Sequence, residues 1–341
     1  MKAVVVHSPR DLRVDDIPDP VCGPDDVLVA MEWGGVCGSD VAYWLSGVSG
    51  TAILKDPLVL GHEVAGYVVQ VGRNVTGVRE GQRVTVHPAT LVGDHCVPAE
   101  LATRTNLWPE VRYFGSAAFQ PHEQGGFSAL RVVRPDQIRP LPDGVSTKEG
   151  AVAEPFGVAL HAVTRAGDVS GRSVLVNGCG PIGALAVAAA KARGAAEVFA
   201  ADLSPAALDI ARAMGADAVI RVADGEELPR DVEIGIEASG AARAIGGVLS
   251  AVRRGGVLVQ VGNLPAGEVN VALGQLVTRE IDYRGSYRFV DEISEAVALM
   301  DGVVDVSPIL THSFALGEAQ EAFEIAADRS SGSSKVMLQL S

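Results

Sequence analysis

Short apolar runs separated by turn residues characterise the amino-terminal part of the chain. They cover residues 3–6, 27–32, 64–71 and 83–86, with glycine, proline and aspartate between them. Valine-rich runs of this length, bounded by turn residues, are typical of β-strands. The pattern therefore predicts a β-rich domain at this end of the chain.

The pattern changes after residues 141–145, which read Leu-Pro-Asp-Gly-Val. Apolar runs then alternate with alanine-rich segments, and the runs cover residues 173–177, 197–201, 217–220, 233–237 and 256–261. This alternation is typical of βαβ units, which build parallel sheets. Ser204 followed by Pro205 predicts one helix start, because a serine hydroxyl caps a helix and proline suits its first turn.

Beyond residue 284 the pattern is mixed again, with a helical segment at 292–300 and a β-like run at 335–340. We expect this tail to rejoin the β-rich domain. A chain of 341 residues also favours two domains, at roughly 150 residues per domain. The sequence thus predicts an α/β protein, with one domain formed by residues 1–146 and 286–341 and a dinucleotide-binding domain formed by residues 147–285.

The composition is that of an ordinary globular protein with an acidic balance. Hydrophobic residues make up 48% of the chain and charged residues 21%, values that argue against disordered and fibrous classes. The formal net charge of −14 would repel the phosphates of nucleic acids and anionic lipid surfaces. We therefore expect neither nucleic acid nor membrane as a partner.

The chain shows no targeting, membrane or disulfide pattern. The apolar run at the amino terminus is too short for the core of a signal peptide. Residues 174–190 are interrupted by polar and helix-breaking residues and fall short of the ~20 residues that span a bilayer. The cysteines show no paired spacing and so give little support to a disulfide framework: Cys22, Cys37, Cys96 and Cys179. These features predict a cytoplasmic protein with reduced thiols.

A glycine-rich turn follows the first predicted strand of the second domain. It reads Gly178-Cys179-Gly180-Pro181-Ile182-Gly183 and leads into an alanine-rich helix through residues 184–192. In a G-x-G-x-x-G turn the first glycine permits the tight turn, the second lets a pyrophosphate approach the backbone, and the third lets helix and strand pack closely. The helix amino terminus then faces the negative charge of the cofactor. The turn predicts a dinucleotide site.

Asp202 ends the next predicted strand, about 20 residues beyond Gly180, at the spacing expected of the residue that binds the ribose. A carboxylate there accepts hydrogen bonds from the adenosine ribose and repels the additional phosphate of NADP, so NAD is the expected cofactor. The alternative is that Asp202 only caps the helix that starts at Pro205. Gly262, which follows the last apolar run, either lines the nicotinamide end of the site or forms an ordinary turn.

Three fragments supply residues of the types that bind zinc, namely Cys37, the pair His62-Glu63, and Glu154. A thiolate, an imidazole and a carboxylate can hold zinc and leave one position open to water or substrate, as in catalytic sites. Glu154 either binds the metal directly or holds its bound water, and Glu63 either binds the metal or orients a ligand. Taken singly, Cys37 and His62 could instead be buried core residues.

The segment Gly61-His62-Glu63-Val64-Ala65-Gly66, continued by Gly72 and Val75, resembles the zinc signature of the zinc-dependent medium-chain alcohol and polyol dehydrogenases. The resemblance extends over nearly the whole chain. Glu154-Pro155 stands where alcohol dehydrogenases of this family have a cysteine. Together with residues 112–116, 121–127 and 285–289, this pair is similar to the sorbitol and idonate branch.

This resemblance implies a fold and an activity. The fold would be a GroES-like β-rich catalytic domain with a Rossmann NAD-binding domain, and members are commonly homodimers or homotetramers. The activity would be oxidation of a secondary alcohol of a polyol or aldonate, with zinc acidifying the hydroxyl and hydride passing to NAD. L-Idonate, oxidised to 5-ketogluconate, is the first candidate substrate, and sorbitol, xylitol or another sugar alcohol is the alternative.

The resemblance also implies roles for residues around the metal. Ser39 matches the hydroxyl that carries the alcohol proton away, and Glu154 acts beside the zinc. Tyr43, His122 and Arg288 match substrate-side positions, where a guanidinium could bind polyol hydroxyls or a sugar-acid carboxylate. The alternatives are a core position for Tyr43, a structural role for His122 and surface exposure for Arg288.

The chain departs from the family in two places. Many relatives hold a second, structural zinc with four cysteines, whereas residues 92–100 here offer only His95 and Cys96 of the usual ligand types. We therefore expect one catalytic zinc per subunit and no structural zinc. Related polyol enzymes also carry a histidine where this chain has Ala42, so a proton relay through an imidazole is missing.

Two other hypotheses compete with the zinc dehydrogenase. One is a catalytically impaired relative with a structural or regulatory role, which the intact ligand set disfavours. The other is a zinc-free, NADPH-dependent reductase, which the ligand set and Asp202 disfavour.

Overall fold

A computed structural model describes residues 1–93, 96–265 and 267–341, so His95 lies outside the described residues. Contacts between residues divide the chain into two compact units. The first consists of Met1–Glu154, Ile293–Asp301 and Leu310–Ser341, and the second of Pro155–Glu292 and Gly302–Ile309. The breaks after Glu154 and Glu292 lie a few residues beyond the domain boundaries expected from the sequence. Those expected boundaries stay a prediction.

The first unit is rich in β-strands, as predicted. Its strands are β1 (Lys2–Ser8), β2 (Asp11–Asp16), β3 (Val27–Gly35), β4 (Val48–Ser49), β5 (Ala52–Ile53), β6 (Leu58–Val59), β7 (Glu63–Val71), β8 (Arg83–Val86), β9 (Ala89–Leu91), β10 (Val111–Tyr113), β11 (Leu130–Val133), β12 (Ile138–Pro140), β19 (Leu310–Ala315) and β20 (Lys335–Gln339). Its helices are α1 (Gly38–Ser46), α2 (Thr147–Gly150), α8 (Glu292–Met300), whose first residue belongs to the second unit, and α9 (Ala319–Ala327). The predicted return of the tail to this unit is confirmed, because β20 pairs with β3.

The largest sheet of the first unit has seven strands, in the order β12-β8-β7-β3-β20-β19, with β11 paired on β3. Its register brings the end of β3 beside the start of β7 and the middle of β20, since Gly35 lies opposite Glu63 of β7 and Met337 of β20. Buried residues on these strands, among them Val29, Met31 and Val64, form the core beneath this point. The sheet therefore holds the segment after β3 against the start of β7.

Helix α1 begins directly after this meeting point because a side chain caps it. The Asp40 carboxylate accepts a hydrogen bond of 3.0 Å from the amide of Cys37, which precedes the helix. The helix ends at Gly47, which is left-handed with φ of 70°. Trp44 packs edge-on against Phe323 of α9, with ring centroids 6.0 Å apart, and this contact fixes the buried face of α1.

The second unit is a parallel α/β sheet, as predicted. Its strands are β13 (Ser173–Asn177), β14 (Glu197–Asp202), β15 (Ala218–Arg221), β16 (Val232–Glu237), β17 (Val252–Gln260) and β18 (Asp282–Gly285). Its helices are α3 (Ala153–Ala166), which starts in the first unit, α4 (Pro181–Ala192), α5 (Pro205–Ala213), α6 (Ala242–Ala251) and α7 (Gly274–Thr278). The six strands run in the order β15-β14-β13-β16-β17-β18, which is the order of Rossmann folds.

The helix start predicted from Ser204 and Pro205 in the second unit is confirmed. Helix α5 starts at Pro205, and the Ser204 hydroxyl accepts a hydrogen bond of 3.4 Å from the amide of Ala207. Helix α4 buries a run of alanine, leucine and valine side chains, small enough to pack closely on the sheet. Among the helices of the described residues, none combines the length and apolar character that crossing a bilayer requires.

Candidate functional site

Three of the predicted metal ligands lie together in the first unit. Cys37, His62 and Glu63 each offer one ligand atom, and these atoms lie within 4.8 Å of one another. Strand register places them, because Cys37 follows β3 closely and Glu63 opens β7 opposite Gly35. Within residues 1–93, 96–265 and 267–341, this is the one group of three or more His, Cys, Asp or Glu side chains with such spacing.

Asp40, which sequence reasoning missed, joins the two segments that carry the ligands. One carboxylate oxygen accepts from the amide of Cys37, and the other accepts from the amide of Gly61 at 3.1 Å and lies 3.8 Å from Nδ1 of His62. The residue is fully buried, and burial raises the pKa of its carboxyl group. Its position three residues after Cys37, at the spacing of a helix-capping carboxylate, was the available sequence signal.

The electrostatics of this group suit a cation. Burial acts to lower the pKa of His62, yet the negative charges of Cys37 and Asp40 raise that pKa well above its usual value. The donor set thus stabilises positive charge among its members, and its sulfur, nitrogen and oxygen atoms are of the types that zinc takes. The residues present therefore fit a zinc ion.

Glu63 has a buried cationic partner that sequence reasoning also missed. Nζ of Lys335 lies 2.7 Å from each oxygen of the Glu63 carboxylate, and the two side chains are 3% and 1% exposed. Burial raises the pKa of Glu63 to about 7, whereas Glu63 and Cys37 outweigh the effect of burial on Lys335 and raise the pKa of its amine. The proton of the pair consequently resides on the amine, which orients the carboxylate as an anion.

Glu154 lies close enough to His62 and Glu63 to interact with both electrostatically, but it does not belong to the three-residue group. It stands in the first turn of α3, is buried, and accepts a hydrogen bond of 2.6 Å from the Tyr113 hydroxyl at Oε1. The Tyr113 ring in turn faces the ring of His62, with centroids 5.7 Å apart. The sequence pointed to Tyr113 only as part of residues 112–116, which resemble the sorbitol and idonate branch.

The structure places the other expected residues of the first unit in different settings. Ser39 is partly exposed in the first turn of α1. Tyr43 is buried in the core, and its hydroxyl oxygen accepts from the amide of Ala117 at 3.0 Å. This setting agrees with the core alternative for Tyr43, although its hydroxyl proton can still be donated.

His122, expected on the substrate side, joins loop segments of the first unit. Its Nε2 accepts from the amides of Lys55 and Asp56, at 2.9 and 3.2 Å. Its Nδ1 therefore carries the proton and donates to the Phe119 carbonyl at 2.8 Å. With both ring nitrogens engaged by backbone groups, the geometry favours the structural alternative over substrate contact.

Arg288 belongs to the second unit. Its backbone is left-handed, with φ of 50°, a conformation that is uncommon for residues other than glycine. Its guanidinium lies over the ring of the preceding Tyr287, 5.0 Å from the centroid. The side chain is thus held by a cation–π contact within its own segment.

The glycine-rich turn of the second unit has the shape that its sequence predicts. Gly178 has φ of +89°, and a Cβ atom at Gly183 would lie 1.8 Å from the carbonyl oxygen of Gly178. Gly180, directly before α4, faces open space, so a ligand can reach its backbone there. These features fit the pyrophosphate of a dinucleotide at the amino terminus of α4.

Asp202 ends β14 beside this turn. One carboxylate oxygen accepts from the amide of Cys179 at 2.6 Å and the other from the amide of Ser204 at 2.8 Å. The hydroxyl of Ser204 itself caps α5, so capping does not account for the aspartate. Burial and this carboxylate together raise the pKa of the Cys179 thiol, which remains neutral.

A buried carboxylate missed by sequence reasoning, Glu237, joins the carboxyl ends of three strands in the second unit. It accepts from Nδ2 of Asn177 at 3.2 Å, from the amides of Ser239 and Gly240 at 2.9 and 3.2 Å, and from Nε2 of Gln260 at 2.6 Å. The amide of Gly262 donates to the Glu237 carbonyl. Gly262 therefore lies in a loop that Glu237 anchors.

Two family models match the chain. The model of the alcohol dehydrogenase GroES-like domain matches residues 23–143, and that of the zinc-binding dehydrogenases matches residues 181–302. Sorbitol dehydrogenase of Gallus gallus is 38% identical over 340 aligned residues, which cover 94% of this chain and 92% of that protein. The chain belongs to the zinc-dependent medium-chain alcohol and polyol dehydrogenases. The family and the fold class expected from the sequence are thereby confirmed.

Solved structures agree with this assignment. L-idonate 5-dehydrogenase from Escherichia coli matches this dehydrogenase with a TM-score of 0.92 and 32% identity, covering 99% of this chain and 97% of that one. A Sinorhizobium meliloti protein whose structure holds NADP matches with a TM-score of 0.89 and 28% identity, covering 99% and 98%. The first of these proteins is an L-idonate 5-dehydrogenase, and the second is a zinc-binding dehydrogenase with NADP bound.

Proposed function

We propose that this polyol-type dehydrogenase oxidises a secondary alcohol of an aldonate or sugar alcohol and transfers hydride to NAD, with L-idonate as the first candidate substrate. The observation that carries the proposal is the group of partly exposed Cys37 and buried His62 and Glu63, joined through Asp40. Similarity to the Escherichia coli L-idonate enzyme supports the aldonate, whereas similarity to sorbitol dehydrogenases supports a neutral sugar alcohol as the alternative.

In this proposal Cys37, His62 and Glu63 hold one zinc ion, and Glu154 acts at the remaining position, directly or by holding water. Zinc bound there supplies Lewis acidity, which lowers the pKa of a substrate hydroxyl. Ser39 accepts the proton that the alcohol releases. Because Ala42 offers no imidazole, water or the cofactor ribose extends the path from Ser39 to solvent.

The second unit holds the dinucleotide in the proposal. The backbone of the turn from Gly178 to Gly183 would hold the pyrophosphate, and the nicotinamide would supply the acceptor for the hydride of the alcohol carbon. Asp202 accepts hydrogen bonds from the adenosine ribose and repels a phosphate at that position, which gives the preference for NAD. Gly262 lies on the nicotinamide side in a loop that Glu237 orders.

Substrate recognition is assigned to Arg288, whose guanidinium suits a carboxylate or several hydroxyls, and to the remaining donor of Tyr43. We assign His122 a supporting role in its loop. No structural zinc, a homodimer or homotetramer, and a cytoplasmic location complete the proposal. The four thiols fit a reducing compartment.

A substrate panel tests this function. The zinc-loaded protein is incubated with NAD and with L-idonate, sorbitol, xylitol or a simple secondary alcohol, and NADH formation is followed. We expect the largest kcat/KM with L-idonate. Highest activity on sorbitol would move the assignment to the sugar-alcohol alternative, and no NAD reduction with any polyol or aldonate, despite zinc and NAD binding, would refute the proposed activity.

A further inference from the structure

Tyr113 contacts two residues of the candidate metal centre at once. Its hydroxyl donates to Oε1 of Glu154 at 2.6 Å, and its ring faces that of His62 with an interplanar angle of 59°. The tyrosine is 6% exposed and Glu154 is 4% exposed. The hydrogen bond is therefore made away from bulk water, where it is stronger than at a surface.

This hydrogen bond is short. Bonds donated by a hydroxyl group to an oxygen are about 2.5–3.0 Å long, and the 2.6 Å contact between Tyr113 and Glu154 lies near the lower end of that range. One oxygen of Glu154 is thus committed to the tyrosine, and Oε2 is the oxygen left for other partners.

The tyrosine is itself held by regular structure. It ends β10, where it pairs with Ala89 of β9, and the amide of the next residue, Phe114, donates to the Pro88 carbonyl at 3.1 Å. Arg131 stacks over the Phe114 ring at 4.6 Å. The hydroxyl is therefore delivered from a fixed backbone, which a positioning role requires.

We propose that Tyr113 is a positioning residue that holds the Glu154 carboxylate beside the group formed by Cys37, His62 and Glu63. The inference rests on the proposed zinc site. In this arrangement Glu63 is the carboxylate that binds zinc, and Glu154 presents one oxygen to the remaining position. The Tyr113 ring also limits rotation of the His62 imidazole.

Tyr113→Phe tests the inference, because it removes the hydroxyl and keeps the ring. Cobalt replaces zinc in the protein, and the visible absorption bands of cobalt report its coordination. Tyr67→Phe is the matched control, since it makes the same change at an exposed side chain of β7. Wild type and this control are expected to bind about one cobalt per chain with identical bands.

For Tyr113→Phe we expect about one cobalt per chain, shifted cobalt bands and a kcat that falls roughly 10- to 100-fold with a smaller change in KM. The same substitution in a Glu154→Ala background should leave the bands where Glu154→Ala alone places them. Bands and kcat equal to wild type in Tyr113→Phe would overturn the inference. An equal band shift with and without Glu154 would overturn it too.

The wild-type measurements separate this inference from the proposed function. Wild-type protein that binds no cobalt and reduces no NAD would refute the zinc dehydrogenase, and the role of Tyr113 with it. Active, cobalt-binding wild type together with an unaltered Tyr113→Phe variant would refute the positioning role alone.

Discussion

At the scale of single residues, the candidate metal centre depends on side chains around its ligands. Asp40 joins the Cys37 and Gly61 backbones, Tyr113 holds Glu154, and Lys335 neutralises Glu63. Each of these contacts limits how far a ligand or neighbouring carboxylate can turn. Such outer contacts orient metal ligands and set their charge, so their loss is expected to alter metal binding as well as catalysis.

Asp40→Asn tests this dependence. Asparagine has nearly the same size, but its amide nitrogen must face the amide of Cys37 or of Gly61, so a donor meets a donor. We expect zinc affinity or kcat to fall roughly 10- to 100-fold, measured by competition with a chelator and by NAD reduction. Asp143→Asn, at an exposed side chain of the same unit, is the control. Wild-type values in Asp40→Asn would contradict the role given to this carboxylate.

Asp202→Asn tests the cofactor assignment. A hydrogen bond to a charged group contributes about 1.5–3 kcal/mol, so losing the charge should lower kcat/KM with NAD by roughly tenfold or more. The rate with NADP should fall less or rise, because the negative charge that repels its phosphate is gone. Asp209→Asn, exposed on α5, is the control. A wild type that prefers NADP would refute the role of Asp202.

At the scale of elements, carboxylates of the second unit accept hydrogen bonds from several strand ends and from the turns that follow them. Glu237 accepts hydrogen bonds from donors on the ends of β13 and β17 and on the turn after β16. Glu237→Gln places an amide group among these donors. We expect this variant to lose about 1–3 kcal/mol of stability and to bind NAD more weakly, as measured by denaturant unfolding and titration.

Glu227→Gln is the control for this substitution, since Glu227 is an exposed residue of the same unit. The control should keep both the wild-type unfolding midpoint and the NAD affinity. A Glu237→Gln variant as stable as the control would show that the hydrogen bonds of Glu237 contribute nothing measurable to the sheet.

The pair of Glu292 and His161 should make stability depend on acidic pH. Burial acts to raise the pKa of Glu292, but hydrogen bonding and charge from His161 at 2.7 Å, with the amide of Val290, lower it to about 2. A carboxyl group with a lowered pKa stabilises the fold above its unfolded value of 4.5 and loses this contribution as pH falls towards 2.

Glu292→Gln should therefore lower stability near neutral pH by about 1–2 kcal/mol, after allowance for solvent screening, and make unfolding less sensitive to pH below about 4.5. Denaturant midpoints of the wild type and the variant, taken from neutral to acidic pH, measure both effects. Parallel pH profiles for the two proteins would contradict the assignment of this pH dependence to Glu292.

At the scale of the whole molecule, the sequence predicted those elements and sites that have a regular pattern of apolar residues or a short motif. The strands of the second unit are continuous apolar runs, so most lie within a residue or two of their expected bounds. β17 starts earlier than expected, at Val252. The sequence pattern did not show this start, because the residues from Arg253 to Gly255 are polar or glycine and resemble a turn. The two- and three-residue strands of the first unit are too short to show a period.

The candidate site was predictable in part for the same reason. Cys37, His62, Glu63 and Glu154 stand in recognisable fragments, whereas Lys335 is 272 residues from Glu63 and meets it only through the register of β3, β7 and β20. The bond from Tyr113 to Glu154 likewise joins distant segments. Contacts of this kind arise from tertiary packing, and no local sequence pattern predicts them.

Metal analysis of the active protein tests whether this dehydrogenase depends on a single zinc ion. We predict about one zinc per chain, loss of NAD-dependent alcohol oxidation when a chelator removes it, and recovery when zinc is returned. Cys37→Ser should lose both the zinc and the activity, whereas Cys96→Ser should keep both. Full activity in protein shown to be free of metal would contradict the account, and a second zinc that depends on Cys96 would contradict the expected absence of a structural site.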